Sequence, residues 1–177
     1  MRNDWRVAVS KPLDVLLITP PSRVQVYQDL SRDLAAIEPP VWSGLIATFL
    51  RQHSCSVAIL DAEAEGLNHQ QTAERIAAIA PRLAVFVIYG QQPSASTQCM
   101  PAGRKVCEIL TTLADIPTLV MGTHPSALPK RTLLEEPYTY VCQGEGPATI
   151  LGLVIALRAP QHSLREVPGL WHMEKGV

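Results

Sequence analysis

Five short apolar runs, none long enough to form a helix of ordinary length, restrict the fold of this chain more than any other feature. Each run is rich in Val, Ile or Leu, a composition that favours buried strands. The runs are Asp14 to Thr19, Ser56 to Asp61, Leu83 to Tyr89, Thr118 to Met121 and Thr139 to Cys142. They predict five strands separated by segments of a different period.

Those segments carry helical stripes, in which apolar residues recur three and four positions apart. The stripes are Leu45, Ile46, Phe49 and Leu50; Ala73, Ile76, Ala77 and Ala80; and Val106, Ile109, Leu110 and Leu113. A last, more uniformly apolar helix is predicted over Pro147 to Leu157, with proline at its first position. Alternating strands and helices predict an α/β fold with parallel strands and right-handed crossovers. We expect a doubly wound, five-stranded, flavodoxin-like (Rossmann-like) sheet with strand order 2-1-3-4-5.

Length and charge narrow the class of protein. The chain has 177 residues, of which 47% are hydrophobic, enough for the core of one domain. Its formal net charge of -1 provides no broad basic field, so a nucleic-acid partner is not expected. No apolar run approaches the roughly 20 residues needed to cross a bilayer, and the polar start is not a signal peptide. We expect a cytoplasmic protein without a membrane partner.

The four cysteines do not predict a metal site. Cys55, Cys99, Cys107 and Cys142 lack the close pairing that zinc or iron–sulfur sites need. They are interpreted as reduced thiols, with Cys55 and Cys142 in the core and Cys99 the most exposed. The sequence predicts neither a metal ligand nor a catalytic residue.

One connection, from Pro20 to Pro40, is longer than the others and carries no clean helical stripe. Connections of this length in compact domains are usually functional or flexible. A flexible insertion is one interpretation. The other is a segment that packs on the domain through Val24, Val26, Tyr27, Leu30, Leu34 and Ile37.

Ligands of open α/β sheets bind beyond the carboxyl ends of the strands, so residues directly after each strand are the candidate site. These segments are rich in Gly, Pro and small hydroxyl residues, which suit close approach to a large ligand. No GxGxxG or GxxxxGK[ST] motif occurs, which disfavours a nucleotide in its usual cradle. The candidates are Thr19, Pro20, Pro21 and Ser22; Tyr89, Gly90, Gln91 and Ser94; Gly122, Thr123, His124, Pro125 and Ser126; and Gln143, Gly144, Glu145 and Gly146.

Three of these segments in order resemble one family. Leu16-Leu17-Ile18-Thr19-Pro20-Pro21, then Met121-Gly122-Thr123-His124-Pro125-Ser126-Ala127-Leu128-Pro129, then Gln143-Gly144-Glu145-Gly146 is similar to the cobalamin (vitamin B12)-binding N-terminal domain of cobalamin-dependent radical S-adenosylmethionine enzymes. The resemblance implies a corrin over the strand ends and a dimethylbenzimidazole tail between sheet and helices. It makes the seventeen candidates above cofactor-binding residues, and it assigns residues 1–160 to the cobalamin-binding domain.

The rest of the parent enzyme lies outside this chain on that resemblance. No CxxxCxxC motif is present, so the [4Fe–4S] cluster and S-adenosylmethionine belong to a partner domain, and this chain alone is expected to be non-catalytic. Residues 161–177 resemble the linker towards that domain. The chain is interpreted as part of a longer protein, which we expect to be a methyltransferase. The chain departs from the family at Gly122-Thr123, where paired glycines are frequent.

The resemblance also implies how cobalt is held. Cobalamin proteins with a histidine ligand carry it in a DxHxxG loop, and this chain has none. We therefore expect base-off cobalamin without a protein histidine, with Tyr89 and Gln91 as candidates for the lower face. His124 is expected to hydrogen-bond to the cofactor or to loop backbone.

Several side chains have two interpretations. Glu145 is either a general base or a cap of the following helix. The acidic segment from Asp61 to Glu65 is expected to be a solvated loop, and His53, His69, His162 and His172 are expected on the surface.

Two other functions remain open at this stage. One is a flavodoxin-like domain that binds flavin or another nucleotide, although the Pro20-Pro21 step fits a phosphate loop poorly. The other is a standalone cobalamin carrier or sensor.

Overall fold

The computed structural model describes residues 12–23, 38–90, 93–159 and 161–173. Its centre is a six-stranded sheet in the order β2-β1-β3-β4-β5-β6. The predicted order 2-1-3-4-5 is confirmed, and a sixth strand extends it. The strands are β1 (Val15–Thr19), β2 (Val57–Asp61), β3 (Leu83–Val87), β4 (Thr118–Met121), β5 (Tyr140–Cys142) and β6 (Leu170–His172).

Helices cover both faces of the sheet, as the doubly wound prediction requires. Strand side chains alternate between the faces. Val15 and Leu17 pack with Leu50 and Leu153, which belong to the helices here called α1 and α6. Leu16 packs in a second cluster formed with α2 and α3. The helices are α1 (Val41–Gln52), α2 (His69–Ile79), α3 (Pro93–Leu113), α4 (Thr123–Ala127), α5 (Pro129–Glu135) and α6 (Pro147–Arg158).

Local sequence explains where several helices start and stop. Asn68 and Gln71 form a capping box at the start of α2, in which each side chain accepts a bond from the other's backbone N–H. The same helix ends at Ala80 in a left-handed conformation. Pro147 is the first residue of α6, as predicted. Residues 24–37, which include the apolar residues of the long connection, lie outside the described residues.

The sixth strand comes from the segment that the sequence predicts as a linker. β6 pairs antiparallel with β5, with Leu170 opposite Cys142 and His172 opposite Tyr140. Gly169 precedes it with φ +70°, and a side chain there would overlap the carbonyl of Gln143. A three-residue strand after a Pro-Gly step has no detectable period, which is why the five-strand prediction omits it.

The predicted burial of Cys55 and Cys142 and the greater exposure of Cys99 are confirmed. Cys55, Cys107 and Cys142 are buried free thiols, and Cys99 is partly exposed. Burial raises the pKa of the Cys107 thiol to about 12. In the part of the chain that the structure describes, no helix has the length and apolarity that a membrane span needs.

Candidate functional site

The sheet has its switch point at β1, which pairs with β2 on one side and β3 on the other. Such crevices at the carboxyl ends of the strands are the usual ligand sites of open α/β sheets. Here the crevice is a cavity of about 370 Å3. Four predicted residues line it: Thr19, Ser22, Tyr89 and Gly90.

A stacked aromatic pair forms part of this cavity. The ring of Trp42, in the first turn of α1, lies 4.7 Å from that of Tyr89 at an interplanar angle of 19°. Trp42 remains 42% exposed. Burial raises the pKa of the Tyr89 phenol, and the nearby Cys142 and Glu145 raise it further. Tyr89 therefore adjoins the residues that follow β5 as well as those that follow β1.

A second cavity, of about 360 Å3, lies at the end of β5. Gln143, Glu145 and Gly146 line it together with Phe49 of α1. The side-chain oxygen of Gln143 accepts a 3.0 Å hydrogen bond from the indole N–H of Trp171 in β6. The sixth strand thus fixes one of the predicted site residues.

The loop after β4 is held against β3 by internal contacts. The buried Ser96 hydroxyl donates to the carbonyl of Ile88 and accepts from the His124 backbone N–H at 3.1 Å. Gly122 has φ +147°, and a Cβ there would overlap the same Ile88 carbonyl. The missing side chain at Gly122 is thus required by packing within the protein.

The histidines at this edge are engaged with the protein. His124 Nδ1 lies 2.9 Å from the Thr97 hydroxyl on α3, so its observed partner is a side chain. Burial, together with Arg131, lowers the pKa of His124 and favours its neutral form. His69, expected on the surface, is half-buried against the backbone of Pro21, and burial lowers its pKa; His172 is likewise half-buried. His69 is the first residue of α2, a position whose contacts a helical stripe does not reveal.

The loops after β4 and β5 are joined at Ser126, whose hydroxyl accepts a 2.8 Å bond from the Gly144 N–H. Gly144 has φ +106°, and no atom lies within 4 Å of the place that a Cβ would occupy, so its backbone faces open space. Glu145 is exposed. Glu145 does not occupy the N-cap position of α6, because the cap residue is Gly146 and the helix begins at Pro147.

The remaining candidates fall around these groups. Pro20 and Pro125 are buried, and Pro21 and Thr123 are half-buried. Gln91 and the side chain of Ser94 lie outside the described residues.

Sequence reasoning misses most of the residues that line the first cavity, among them Trp42, Ser43 and Asp61. Asp61 is the last residue of β2, so the rule that selects strand ends also selects it, but its acidic neighbours favour the solvated-loop interpretation. Trp42 lies three positions before Leu45 and directly after a Pro-Pro-Val step, in a turn that the helical stripe does not include.

Comparisons with known proteins agree with this geometry. The chain resembles the radical S-adenosylmethionine methyltransferase TsrM from Kitasatospora setae, solved with cobalamin and a [4Fe–4S] cluster: TM-score 0.70, 16% identity, 92% of this chain and 28% of that one. It also resembles the cobalamin-dependent S-adenosylmethionine radical enzyme OxsB, solved with aqua-cobalamin and S-adenosylmethionine: TM-score 0.67, 15% identity, 92% of this chain and 21% of that one. The chain thus spans about a quarter of the length of these enzymes.

At such identities these likenesses show the fold. No curated protein matches the sequence significantly. The family model of the B12 binding domain, by contrast, matches residues 28–154, which is well over half of the chain. The match includes α1, four of the strands and both loops that Ser126 joins. This chain belongs to the B12-binding domain family, and its cofactor is cobalamin.

Proposed function

We propose that this chain holds cobalamin base-off, with no protein histidine on cobalt, as the N-terminal module of a radical S-adenosylmethionine methyltransferase. The observation that carries the proposal is a contrast among the loops at the carboxyl ends of the strands, here called the carboxyl edge. Open space lies there, whereas the histidines contact protein groups. Two cavities open there, and the side of Gly144 that a Cβ would occupy faces open space. His124 is meanwhile hydrogen-bonded to Thr97, and His69 is packed against Pro21.

The residues at this edge suit the cofactor chemically. Cobalamin offers a flat ring system with carboxamide arms and an aromatic base on its nucleotide tail. Trp42 and Tyr89 provide a flat aromatic surface, and aromatic rings stack on such groups. Thr19, Ser22 and the exposed Gln143 supply hydroxyl and amide groups of the kind that bind carboxamides.

We assign the seventeen strand-end residues to the cofactor site in two groups. Among those after β1 and β3, Thr19, Ser22, Tyr89 and Gly90 line the first cavity, and among those after β5, Gln143, Glu145 and Gly146 line the second. Gly122, Ser126 and His124 act mainly by positioning these loops, because their observed bonds are to protein groups. When bound, cobalamin supplies organocobalt chemistry, the transfer of a carbon group between cobalt and a substrate.

The partner in this proposal is a radical S-adenosylmethionine domain, which supplies the cluster and S-adenosylmethionine. Supporting it, TsrM and OxsB are three to five times longer than the region they share with this chain. The division into a cofactor domain over 1–160 and a linker over 161–177 stays a prediction. Because β6 joins the sheet, we place the start of the connection after His172. A cytoplasmic location likewise stays a prediction.

Electron paramagnetic resonance of the protein loaded with cob(II)alamin tests this proposal. Base-off binding without histidine predicts cobalt lines without the triplet splitting that a nitrogen ligand produces. The spectrum should be unchanged in His124→Ala and in the control His162→Ala, whose side chain is exposed. A nitrogen triplet that vanishes in His124→Ala would contradict the proposal.

The same preparation separates the rival functions. Cobalamin that stays with the protein through gel filtration, while flavin mononucleotide is lost, supports the cobalamin module. Retention of the flavin alone would support the flavodoxin-like alternative. A standalone carrier predicts that the loaded chain gains no affinity for a radical S-adenosylmethionine domain added in trans.

A further inference from the structure

Ser43, in the first turn of α1, has an unexplained hydroxyl. The residue is fully buried, and its Oγ has no hydrogen-bond partner among the described residues. Buried serine hydroxyls in helices usually bond to a carbonyl one turn earlier, and polar groups buried without a partner are rare in native proteins. Ser43 also lines the first cavity, beside Thr19 and Trp42.

The start of α1 adds two more donors at the same place. The helix has twelve residues, and its cap residue, Pro40, makes no side-chain cap bond. The N–H of Val41 bonds to the Pro39 carbonyl, and that of Gly44 bonds to Pro40. Within the described ranges, the N–H groups of Trp42 and Ser43 are paired with no backbone carbonyl. Unpaired N–H groups at a helix start attract a hydrogen-bond acceptor.

Carboxylates line the same cavity as these donors. Asp61 is aligned with Thr19 across the β1–β2 pair, and both residues occupy the face of the sheet that packs against α1. The Asp61 carboxylate, whose Oδ1 accepts a 3.2 Å hydrogen bond from the Ala64 N–H, lines the cavity together with the exposed Glu38. A third carboxylate there, Glu63, is already engaged by the backbone N–H and guanidinium of Arg23.

The cavity is therefore lined by both hydrogen-bond donors and negatively charged acceptors. A phosphate suits the helix start but is repelled by Asp61 and Glu38. An ammonium group suits the carboxylates but leaves Ser43 and the helix N–H groups without an acceptor. A primary carboxamide satisfies both kinds of group, because its oxygen accepts and its NH2 group donates.

We propose that the Ser43–Asp61 cavity is a carboxamide subsite that takes one amide arm of the corrin ring. This inference rests on the proposed function and adds which group of the cofactor is recognised and by which residues. The oxygen of the arm accepts from the Ser43 hydroxyl and the helix start. Its NH2 group donates to the carboxylate of Asp61.

The test measures affinity for cyanocobalamin and for its monocarboxylic acid derivatives, each of which has one carboxamide replaced by carboxylate. The subsite predicts that one derivative binds the wild-type chain at least tenfold more weakly than the others, because its carboxylate faces Asp61. In Asp61→Asn that penalty, measured relative to the other derivatives, should shrink. The other derivatives should bind somewhat more weakly than they bind the wild-type chain, because their amide loses a charged acceptor. Equal affinities across the series would overturn the subsite.

The variant Ser43→Ala provides a second test of the subsite. Loss of one neutral hydrogen bond should weaken cyanocobalamin binding about fivefold to tenfold. The melting temperature should not fall, because the hydroxyl has no partner among the described residues. Thr48→Ala on the exposed side of α1 is the matched control, and its affinity should be unchanged. Unchanged affinity in Ser43→Ala overturns the subsite alone, whereas a wild-type chain that retains no cobalamin overturns the proposed function with it.

Discussion

The loops at the two ends of the parallel strands differ in how completely their polar groups are paired. We call these ends the amino edge and the carboxyl edge. At the amino edge, Asp14 accepts two hydrogen bonds from Ser56, at 2.8 and 2.6 Å, and two from Arg158, at 3.0 Å (Nε) and 2.7 Å (Nη2). Arg82 lies 3.7 Å from the same carboxylate. At the carboxyl edge, the Ser43 hydroxyl has no partner among the described residues, Trp42 is exposed and the Gly144 backbone faces open space.

This difference indicates which polar groups stabilise the fold and which are available to a ligand. A carboxylate whose oxygens are all bonded has little left to offer a ligand, and its bonds hold together elements distant in sequence, since Asp14 and Arg158 are 144 residues apart. Groups left unpaired in a cavity cost stability in the free protein and become useful only when a ligand pairs them. We therefore assign stabilisation of the fold to the amino edge and cofactor binding to the carboxyl edge.

The largest expected effect is that of Gly122→Ala, which tests whether the carboxyl edge has structural parts of its own. The new Cβ overlaps the Ile88 carbonyl at a backbone angle that alanine rarely adopts. We expect the free energy of unfolding to fall by about 3 kcal/mol in urea denaturation.

The control is Gly44→Ala, in the interior of α1, where a side chain meets nothing within 4 Å. This change should stabilise the chain by about 0.5–1 kcal/mol. If both variants have wild-type stability, the tight approach of the β4 loop to β3 is wrong.

Arg158→Met sharpens the comparison at the amino edge. It removes two charged hydrogen bonds from a carboxylate that is only 10% exposed, although Arg82 stays nearby. We expect a loss of about 2 kcal/mol in the free energy of unfolding, with cobalamin affinity unchanged. Arg131→Met, which breaks an exposed i,i+4 pair with Glu135, is the control and should leave stability unchanged. A fall in cobalamin affinity in Arg158→Met would break the division between the two edges.

The amino edge also predicts a pH dependence. Burial raises the pKa of Asp14, but the bonds from Arg158 and Ser56 outweigh it and lower the pKa from 3.8 to about 2. Its contribution to stability is therefore complete above pH 3.8 and is lost as the pH falls towards 2, about 1–2 kcal/mol after allowance for solvent screening. Urea denaturation between pH 5 and 2 should show a smaller acid loss in Arg158→Met than in the wild type. If stability falls with pH equally in the two proteins, the assignment of the acid loss to the Asp14–Arg158 pair is contradicted.

The smallest expected change in stability is that of Trp42→Ala. The stack on Tyr89 contributes about 1 kcal/mol or less, because Trp42 is 42% exposed. Cobalamin affinity should fall about tenfold if the ring provides a stacking surface, since tenfold corresponds to about 1.4 kcal/mol. Phenylalanine at this position should restore part of the affinity. A stability loss without any change in affinity would make the stack purely structural.

The sequence predicts the parallel sheet well because its strands are buried on both faces and appear as unbroken apolar runs, such as Leu83–Val87. It predicts the site at the level of loops, since strand ends meet at one edge. It does not predict that Gly122 makes room for the Ile88 carbonyl, because the two residues lie in different loops. Nor does it predict that Trp171 anchors Gln143, because a three-residue strand has no pattern. Ser43 escapes sequence analysis because nothing in a helical stripe marks an unpaired hydroxyl.

Hydrogen–deuterium exchange of the free and hydroxocobalamin-loaded protein tests the central claim most directly. We expect cobalamin to slow exchange at the backbone amides of residues 42–43, 89–90, 122–126 and 143–146, at the carboxyl edge. Exchange at Asp14, Ser56 and Arg82, at the amino edge, should not change. Protection confined to the amino edge, or spread evenly over the chain, would contradict the central claim.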